Sequence, residues 1–178
     1  TFDPIPKMFF NPKFKNYRIS NINQKIEILK SYNIDFIINK KFDKKFSKTK
    51  YTNFIKNVLY KKIKPRYIFV SDNFRFGNKR EGDVSSLKQF EKIYGYKIIN
   101  PSPLKKNLKI VSSTLIRKYL SEGKIKVANK YLDRNWSIEG LVKIGRRMGR
   151  QIGFPTCNID IGDYIISKPG VYLSLIHI

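Results

Sequence analysis

Short apolar runs typical of strands alternate along this chain with segments whose apolar residues repeat every three or four positions. The strand candidates are residues 36–38, 67–70 and 96–99, and amphipathic helical segments lie between them. Strands and helices that alternate through short links favour a parallel sheet covered by helices on both faces. In such sheets, ligands bind beyond the carboxyl ends of the strands. The alternation therefore predicts an α/β fold with buried strands, and it predicts the edge at which a site should lie.

Capping and stop signals set the limits of the predicted helices. Ser20 and Asp83 are suited to cap two of them, since each precedes an apolar helical repeat. A third helix should stop before Pro65. Shorter helical pieces are predicted at 116–120 and 125–132. The residues expected on the apolar faces of the first three helices are Ile22, Ile26, Leu29, Phe54, Ile55, Val58, Leu59, Val84, Leu87, Phe90 and Ile93.

The pattern changes after Leu132, where helical periodicity ends. Residues 136–142 alternate like an antiparallel strand, and a stretch rich in glycine and arginine follows at 145–153. We expect one domain over residues 1–134 and the start of a β-rich second domain over residues 135–172.

Composition excludes several classes of protein. No apolar run approaches the roughly 20 residues that span a bilayer, and these residues contain no signal-peptide pattern. We expect a cytoplasmic protein, because a single cysteine fits a reducing compartment. The single cysteine, Cys157, and the single histidine, His177, exclude a disulfide framework or a zinc cluster within these residues. Residues 173–178 resemble the translation of a sequencing-library adapter. We expect a non-native tail there and give His177 no role, although the alternating apolar residues also fit an ordinary strand.

The net charge of +24 has two interpretations. One is attraction to polyanions such as RNA, DNA, nucleotides or acidic membranes. The other is a general enrichment in lysine over every solvated face. Nucleic-acid binders gather their positive charge on one element or face, whereas these lysines are scattered. The second interpretation is favoured, and nucleic acid is not an expected partner.

A polar and aromatic loop at 71–77 directly follows a predicted strand. Asn73 can hydrogen-bond a ligand, and Phe74 can flank a planar ring. The alternative is a loop whose aromatic residues fill the core and whose Asn73 forms an Asx turn. The loop by itself favours neither interpretation.

A second candidate segment, 112–117, precedes a predicted helix. Its hydroxyls and backbone amides would lie at a helix N-terminus, where anions bind readily, and Arg117 can reach a phosphate one turn later. The alternative is an ordinary helix cap beside a surface arginine, which is the more common outcome for such a segment alone.

The glycine- and arginine-rich segment 145–158 is the most specific of the three. Its glycines allow the backbone to approach a phosphate closely, and its arginines supply positive charge. Thr156 and Asn158 offer oxygen ligands suited to a nucleotide-bound Mg²⁺. A basic β-hairpin with glycine bulges would explain the glycines but not the Pro-Thr-x-Asn ending. The nucleotide-binding candidates of this segment are Gly145, Arg146, Gly149, Gly153 and Pro155.

Taken together, these segments resemble the bacterial bifunctional riboflavin kinase and FMN adenylyltransferase family. That family carries a Phe-x-Pro-His-Pro strand end, a Val-Gly-x-Asp/Asn-Phe-x-Phe-Gly loop and a Ser-Ser-Thr-x-Ile-Arg segment. Its kinase module opens with Gly-Arg-x-x-Gly-Arg-x-x-Gly-Phe-Pro-Thr-x-Asn. The chain is similar at all four motifs, in the same order, over residues 1–172. Four motifs in order are far more specific than any one of them.

The resemblance implies a Rossmann-like nucleotidyltransferase sheet that lacks its first strand, followed by the start of a small β-barrel riboflavin kinase domain. The first module would join the AMP part of ATP to FMN and release pyrophosphate, and the second would phosphorylate riboflavin. ATP with Mg²⁺, FMN and riboflavin are the implied ligands, and segment 112–117 would hold the ATP phosphates. The implied nucleotide- and flavin-binding residues of the first module are Phe2, Asp3, Pro4, Asn73, Phe74, Gly77, Ser112, Ser113, Thr114 and Arg117.

Departures from the family pattern leave some contacts open. Ile5 stands where the family has histidine, and Ser71 where it has glycine. Leu115 stands where arginine is common, and Asp133 where glycine is frequent. The family's His-x-Gly-His segment and the catalytic carboxylate of its kinase lie outside these residues, so we expect this chain alone to be inactive in both reactions.

Three other interpretations stay open on sequence alone. Another adenylyltransferase, acting on a nicotinamide or pantetheine nucleotide, would share segment 112–117 but not the second module. A basic nucleic-acid-binding protein would need an exposed stripe of Lys and Arg with interleaved aromatics, and steeply salt-dependent binding. A structural fragment would bind no ligand. The enzyme interpretation predicts that segments 2–4, 73–77 and 112–117 converge on one pocket at the strand ends.

Overall fold

The computed structural model describes residues 1–145, 153 and 156–175. The helices in these ranges are α1 (Pro6–Phe10), α2 (Ile22–Ser31), α3 (Lys44–Ser47), α4 (Tyr51–Phe54), α5 (Val84–Gln89), α6 (Glu91–Tyr94), α7 (Ser113–Ser121) and α8 (Ile125–Leu132). Helix α4 continues as a π-helix over Ile55–Ile63, and Asn78–Arg80 forms a 3₁₀ turn. The strands are β1 (Phe2–Asp3), β2 (Lys40–Lys41), β3 (Tyr67–Phe69), β4 (Lys97–Ile99), β5 (Lys105–Lys106), β6 (Lys109–Ile110), β7 (Val142–Lys143) and β8 (Asn158–Ile159).

The strands pair two by two. Strand β1 lies parallel to β2, with Phe2 opposite Lys40, and β3 lies parallel to β4, with Ile68 opposite Ile98. The pairs β5–β6 and β7–β8 are antiparallel. The fold is therefore mixed α/β with small parallel sheets, as the alternation of elements predicted. None of the helices described is long and apolar enough to cross a membrane.

The chain divides into two compact units. Residues 2–9 and 40–110 form the first, which we call the middle unit. Residue 1, residues 10–39 and the described residues from 111 onward form the second, which we call the flanking unit. These units differ from the two segments separated at residue 134, because residues 10–39 pack with the later part of the chain. The boundary near residue 134 separates the two modules predicted from the sequence and stays a prediction.

The middle unit has an apolar core. Ile55 and Leu59, one helical turn apart, are buried on the π-helix, which ends at Ile63 with Lys64 as its C-cap, before Pro65 as predicted. Asp83 caps α5 as predicted, because its Oδ1 accepts a hydrogen bond of 2.8 Å from the Ser86 amide. The other buried members of this core are Phe76, Leu87, Tyr96 and Ile98.

The flanking unit is built around the contact between α7 and α8. Leu120 and Ala128 are completely buried there, and the rings of Tyr119 and Tyr131 stack with centroids 5.4 Å apart. Both helices were predicted, and their apolar repeats explain why they pack against each other. Ile116 and Ile165 complete the cluster.

The predicted buried strand at 36–38 is wrong. Phe36 is 90% exposed, and the paired strand is β2, which starts at Lys40. Strand β1 pairs with β2 in this register, and the apolar run precedes the paired residues. The carbonyl of Ile38 in this run accepts a hydrogen bond of 2.7 Å from the amino terminus. The apolar pattern identified residues 36–38 as a possible strand but could not show which residues pair with β1.

Helix α2 differs from prediction at its cap and on its buried face. Asn21, not Ser20, is the cap: its Oδ1 accepts from the Gln24 amide at 2.7 Å, and the Gln24 Oε1 accepts from the Asn21 amide at 3.1 Å. This reciprocal capping box needs Gln three residues into the helix, which favours Asn21. The buried residue of α2 is Gln24, whereas the predicted apolar residues Ile22 and Ile26 are only partly buried.

A third difference lies between α5 and α6. Ile93 was predicted to face inward, yet it is 67% exposed. Phe90 has φ −97° and ψ 1°, so the helix is interrupted there and the second helix starts in a different phase. A repeat read across the interruption therefore assigns Ile93 to the wrong face.

Candidate functional site

The first candidate segment, 2–4, ends strand β1. Pro4 follows Asp3 through a cis peptide bond, and the Asp3 carbonyl accepts a hydrogen bond of 3.0 Å from the Phe42 amide. The Phe2 ring contacts the rings of Phe42 and Phe46, each with a centroid separation of 5.5 Å. Phe2 is thus partly buried among aromatic side chains of its own unit.

An aromatic row continues from Phe2 to the second candidate segment. Neighbouring ring centroids in this row lie 5.4 to 6.4 Å apart. Its members, in order, are Phe2, Phe46, Phe54, Phe76 and Phe74. The row connects segments 2–4 and 73–77 within the middle unit, so these two predicted parts of a cleft belong to one packed structure.

The loop at 71–77 separates its polar from its aromatic side chains. Ser71 donates its hydroxyl to Oδ1 of Asn73 at 2.9 Å, and Asn73 remains exposed. Phe74 stacks on buried Phe76, so the aromatic residues of the loop do fill the core, as the alternative interpretation proposed. Asn73 is therefore the residue of this loop best placed to meet a ligand.

Asp83, the cap of α5, lies beside Arg75 of this loop. Hydrogen bonds from the backbone of Ser86, and then from the side chains of Ser85 and Ser86, lower the pKa of Asp83 to about 2. Arg75, with a nitrogen 3.6 Å from the carboxylate, contributes less. Asp83 is thus a fully ionised helix cap near neutral pH, not a proton donor or acceptor.

Gly77 is required by packing within the protein. Its φ of +77° lies in the left-handed region, and a Cβ there would sit 2.8 Å from the Tyr51 amide nitrogen. The loop is held in place by a hydrogen bond of 2.8 Å from the Asn78 amide to the Thr49 carbonyl. Gly77 allows the loop to approach the start of α4, a role that the sequence could not distinguish from approach to a ligand.

The third candidate segment opens helix α7. Ser112 is the cap, and its hydroxyl accepts a hydrogen bond of 3.2 Å from the Leu115 amide. Ser113 and Thr114 are exposed in the first turn, which contains no acidic residue. The helix therefore presents hydroxyls, backbone amides and the positive end of its dipole, and its own first turn contributes no carboxylate.

Arg117 extends from the same helix but does not lie free in solvent. Its Nε donates a hydrogen bond of 2.8 Å to the Tyr17 carbonyl, and its guanidinium carbon lies 3.7 Å from the centre of the Tyr17 ring. Burial lowers the pKa of Arg117, and the interaction with Tyr17 opposes that shift. An arginine remains charged after such a shift, so a partly dehydrated cation is available beside the α7 N-terminus.

The fourth candidate segment is described in part. A Cβ on Gly145 would collide with the side-chain amide of Asn158, so this glycine makes room for Asn158. Thr156 is exposed, and Gly153 has a φ of +79°, with no atom of the described residues within 4 Å of its Cβ position. The remaining predictions for this segment, Arg146, Gly149 and Pro155, lie outside the described residues, as does His177.

Thr156 and Asn158 fit a role at Mg²⁺ carried by a nucleotide. They are two residues apart at the start of β8, a spacing that places side chains on one face of an extended segment, and both offer hard oxygen atoms. Nearby, Lys143 pairs with Asp160 at 2.6 Å, and this contact is the first cause that lowers the pKa of the Asp160 carboxyl. Within the ranges described, no three His, Cys, Asp or Glu side chains form a metal-binding group.

Segments 2–4 and 73–77 lie in the middle unit, whereas segment 112–117 and the described part of segment 145–158 lie in the flanking unit. The first two share the aromatic row described above. The convergence of all three segments of the first module on one pocket stays a prediction.

A buried polar network in the flanking unit escaped sequence reasoning. Gln24, 7% exposed, donates to the Ser137 hydroxyl at 3.0 Å, and Tyr164 donates to the Gln24 Oε1 at 2.7 Å. Buried Arg18 forms an ion pair with Asp163. Partners in this network are 113 to 145 positions apart in the chain. Local patterns cannot reveal such pairs, because each residue alone looks like an ordinary polar surface residue.

Residues 1–115 match the FAD synthetase family, and residues 132–178 match the riboflavin kinase family. A bifunctional riboflavin kinase/FMN adenylyltransferase of Buchnera aphidicola subsp. Schizaphis graminum is 42% identical over 172 residues, covering 96% of this chain and 55% of the relative. The protein of the same name from Escherichia coli strain K12 is 30% identical over 171 residues, with the same coverage. The chain thus spans about half the length of the curated relatives it matches.

The fold is also similar to a crystal structure described as a macrolide-efflux protein from Streptococcus pneumoniae. The TM-score is 0.78 at 24% identity, with 97% of this chain and 56% of that chain covered. At this identity the likeness shows a shared fold and nothing of the activity.

Proposed function

The chain belongs to the FAD synthetase family, and from this premise we propose that the protein phosphorylates riboflavin to FMN and adenylylates FMN to FAD. The observation that carries the proposal is the order of the two family matches, FAD synthetase first and riboflavin kinase second, within one chain. A nicotinamide or pantetheine adenylyltransferase would not be expected to match the second family.

The first reaction requires a site for triphosphate, and the N-terminus of α7 is suited to it. In adenylyl transfer, a phosphate oxygen of FMN attacks the α-phosphorus of ATP, and the bond to pyrophosphate breaks. Negative charge then accumulates on the leaving pyrophosphate, and correctly placed cations and amides stabilise it. We assign this role to Ser112, Ser113 and Thr114 through their hydroxyls and amides, and to Arg117 through its guanidinium.

The flavin and nucleotide cleft of this module is assigned to segments 2–4 and 73–77. The side chain of Asn73 is exposed, and its amide nitrogen can donate to a ligand while its Oδ1 accepts from Ser71. Phe74 offers a half-buried ring beside it. Phe2, Asp3 and Pro4 lie at the end of β1 in the same unit. Gly77 allows the loop to pack against α4, and it shapes the cleft by fixing the position of the loop.

The second reaction is assigned to the β7–β8 region. Thr156 and Asn158 would hold Mg²⁺ together with the nucleotide, and the ion would neutralise phosphate charge. Gly145 makes room for the Asn158 side chain. Gly153, with Arg146, Gly149 and Pro155 outside the described residues, completes the proposed nucleotide contacts. The finer architecture that goes with these assignments is a Rossmann-like sheet followed by the start of a β-barrel.

The proposed ligands are small molecules: ATP, FMN and riboflavin. Such substrates and the single cysteine fit a cytoplasmic enzyme. The scattered lysines do not support nucleic acid as a partner.

The test is to assay the two reactions separately in the full-length protein. Arg117→Ala should chiefly impair FAD formation from FMN and ATP, while Thr156→Ala should chiefly impair FMN formation from riboflavin. Loss of a charge-assisted phosphate contact is worth about 1.5 to 3 kcal/mol, so a loss of at least about tenfold is expected. Lys118→Ala is the matched control on α7, and Thr156→Ser keeps the hydroxyl oxygen and should retain activity.

This division of labour is wrong if both alanine variants leave both reactions intact, or if each lowers both reactions equally while remaining folded. A basic polyanion binder would instead show a small and similar loss of binding for Arg117→Ala and Lys118→Ala, because each removes one positive charge.

A further inference from the structure

Arg117 is held by a neutral partner. The contacts described above come from one residue, Tyr17, whose carbonyl accepts from Nε and whose ring lies under the guanidinium. A buried or half-buried arginine is more often paired with a carboxylate, which would cancel its charge. A ring and a carbonyl fix the group in place and leave its positive charge available to a ligand.

The terminal nitrogens of Arg117 can donate hydrogen bonds to a ligand. A guanidinium carries five N–H donors in a rigid plane, and the contact with Tyr17 uses the one on Nε. The two terminal nitrogens make no hydrogen bond to any residue that the structure describes. Ser113 and Arg117 are four residues apart on α7, so they share one face of the helix. Long side chains on a helix generally lean towards its N-terminus.

Tyr17 is itself anchored. Its ring packs edge-on against Phe14, with centroids 5.3 Å apart, and its amide donates to the Asp163 carbonyl at 2.9 Å. The amide of the next residue, Arg18, donates to the same carbonyl at 2.9 Å. Tyr17 is therefore held both at its ring and at its backbone.

We propose that Tyr17 is a positioning residue for adenylyl transfer: its ring orients the Arg117 guanidinium so that both terminal nitrogens meet a phosphate of ATP. This inference rests on the proposed role of Arg117. An arginine without such support samples many rotamers, and ordering it on binding weakens affinity. Because the ring already orders the guanidinium, binding of the ligand does not have to order it, and the positive charge stays available.

The test compares variants of Tyr17 in the full-length protein by the KM for ATP in FAD formation. Tyr17→Leu removes the ring and should raise this KM about three- to tenfold, the size expected for a partly dehydrated cation–π contact. Tyr17→Phe keeps the ring and should retain the wild-type KM, and riboflavin phosphorylation should be unchanged in both. Tyr60→Leu, which removes a ring stacked on Tyr94 in the middle unit, is the matched control.

A structural role alone would give a different pattern. If Tyr17→Leu lowers the unfolding temperature, Tyr17→Met repeats the measurement with a side chain that adapts to the packing. In a double-mutant cycle, Tyr17→Leu should add little to Arg117→Ala, because the ring acts through the guanidinium.

Two results would overturn the inference while the proposed function stands: an unchanged KM for ATP in Tyr17→Leu when Arg117→Ala raises it, or an equal loss in Tyr17→Phe and Tyr17→Leu. If Arg117→Ala leaves the KM for ATP unchanged, the proposed role of Arg117 is wrong. The proposed role of Tyr17 is then wrong as well, because it depends on Arg117.

Discussion

In the middle unit the buried side chains are apolar or aromatic, and a row of phenylalanine rings runs through it. In the flanking unit an apolar cluster between α7 and α8 is accompanied by two buried polar side chains, Arg18 and Gln24. Apolar burial stabilises almost any compact arrangement of the right volume, whereas a buried polar group is tolerated only when its particular partner is in place. The middle unit is thus specified by packing, and the flanking unit by packing together with a few obligatory pairs.

The difference also bears on the proposed sites. In the middle unit Phe74 packs against the apolar core, and Phe2 is connected to it through the row of phenylalanine rings. In the flanking unit Arg117 is held by Tyr17, whose backbone is anchored to Asp163. A change in the polar pairs of the flanking unit should therefore reach Arg117, the arginine proposed to bind phosphate, while the middle unit lacks such a connection among its described contacts.

The largest expected effect tests whether the apolar cores of the units are equivalent. Ile55→Ala in the middle unit and Leu120→Ala in the flanking unit each empty a fully buried position. Each should lower the free energy of unfolding by about 2 to 5 kcal/mol, because transfer and cavity costs add. Urea unfolding of both variants measures it. A loss below about 1 kcal/mol in either would mean that the position is not part of a packed core.

An intermediate effect separates the units. Tyr164→Phe removes the hydroxyl that donates to Gln24 and accepts from the Glu139 amide at 3.3 Å, so a part-buried N–H loses its acceptor. The expected loss of unfolding free energy is about 1 to 3 kcal/mol. Tyr96→Phe removes a hydroxyl bonded to the Leu87 carbonyl, which also accepts from the Phe90 amide. That carbonyl stays satisfied, so about 0.5 to 1.5 kcal/mol is expected.

The measurement is urea unfolding of the two variants in parallel, with Tyr60→Phe as the control. Tyr60 is 45% exposed, and removal of its hydroxyl should change the free energy of unfolding by no more than about 0.5 kcal/mol. Equal losses for Tyr164→Phe and Tyr96→Phe would remove the distinction drawn here between the two units.

The smallest effect should be the same in both units. Lys64 in the middle unit and Asp133 in the flanking unit each end a helix with left-handed backbone, at φ of 53° and 56°. Glycine adopts this conformation without a steric penalty, so Lys64→Gly and Asp133→Gly should each raise the free energy of unfolding by about 0.5 to 1 kcal/mol. The gain at Asp133 should be the smaller one, because Asp tolerates this region better than Lys. Thermal unfolding would detect the gain, and a loss at either position would contradict it. This geometry also explains why glycine is frequent at the position that Asp133 occupies.

Much of the local structure followed from the sequence alone. The Asp83 cap, the helix that stops before Pro65, the pair α7 and α8 and the strands β3 and β4 were all predicted, because periodicity, capping and proline chemistry act over a few neighbouring residues. The four motifs, read in order, were also sufficient for the family, which the comparisons confirmed.

The tertiary structure decided what depends on distant partners. The sequence could not predict that Phe36 is exposed, that Gln24 is buried against Ser137 and Tyr164, or that Arg117 rests on Tyr17. Apolar character indicates that a residue can be buried, but only the packed chain supplies the surface that covers it. A polar side chain is buried only where its hydrogen-bond partner is present, and those partners lie 100 or more positions away.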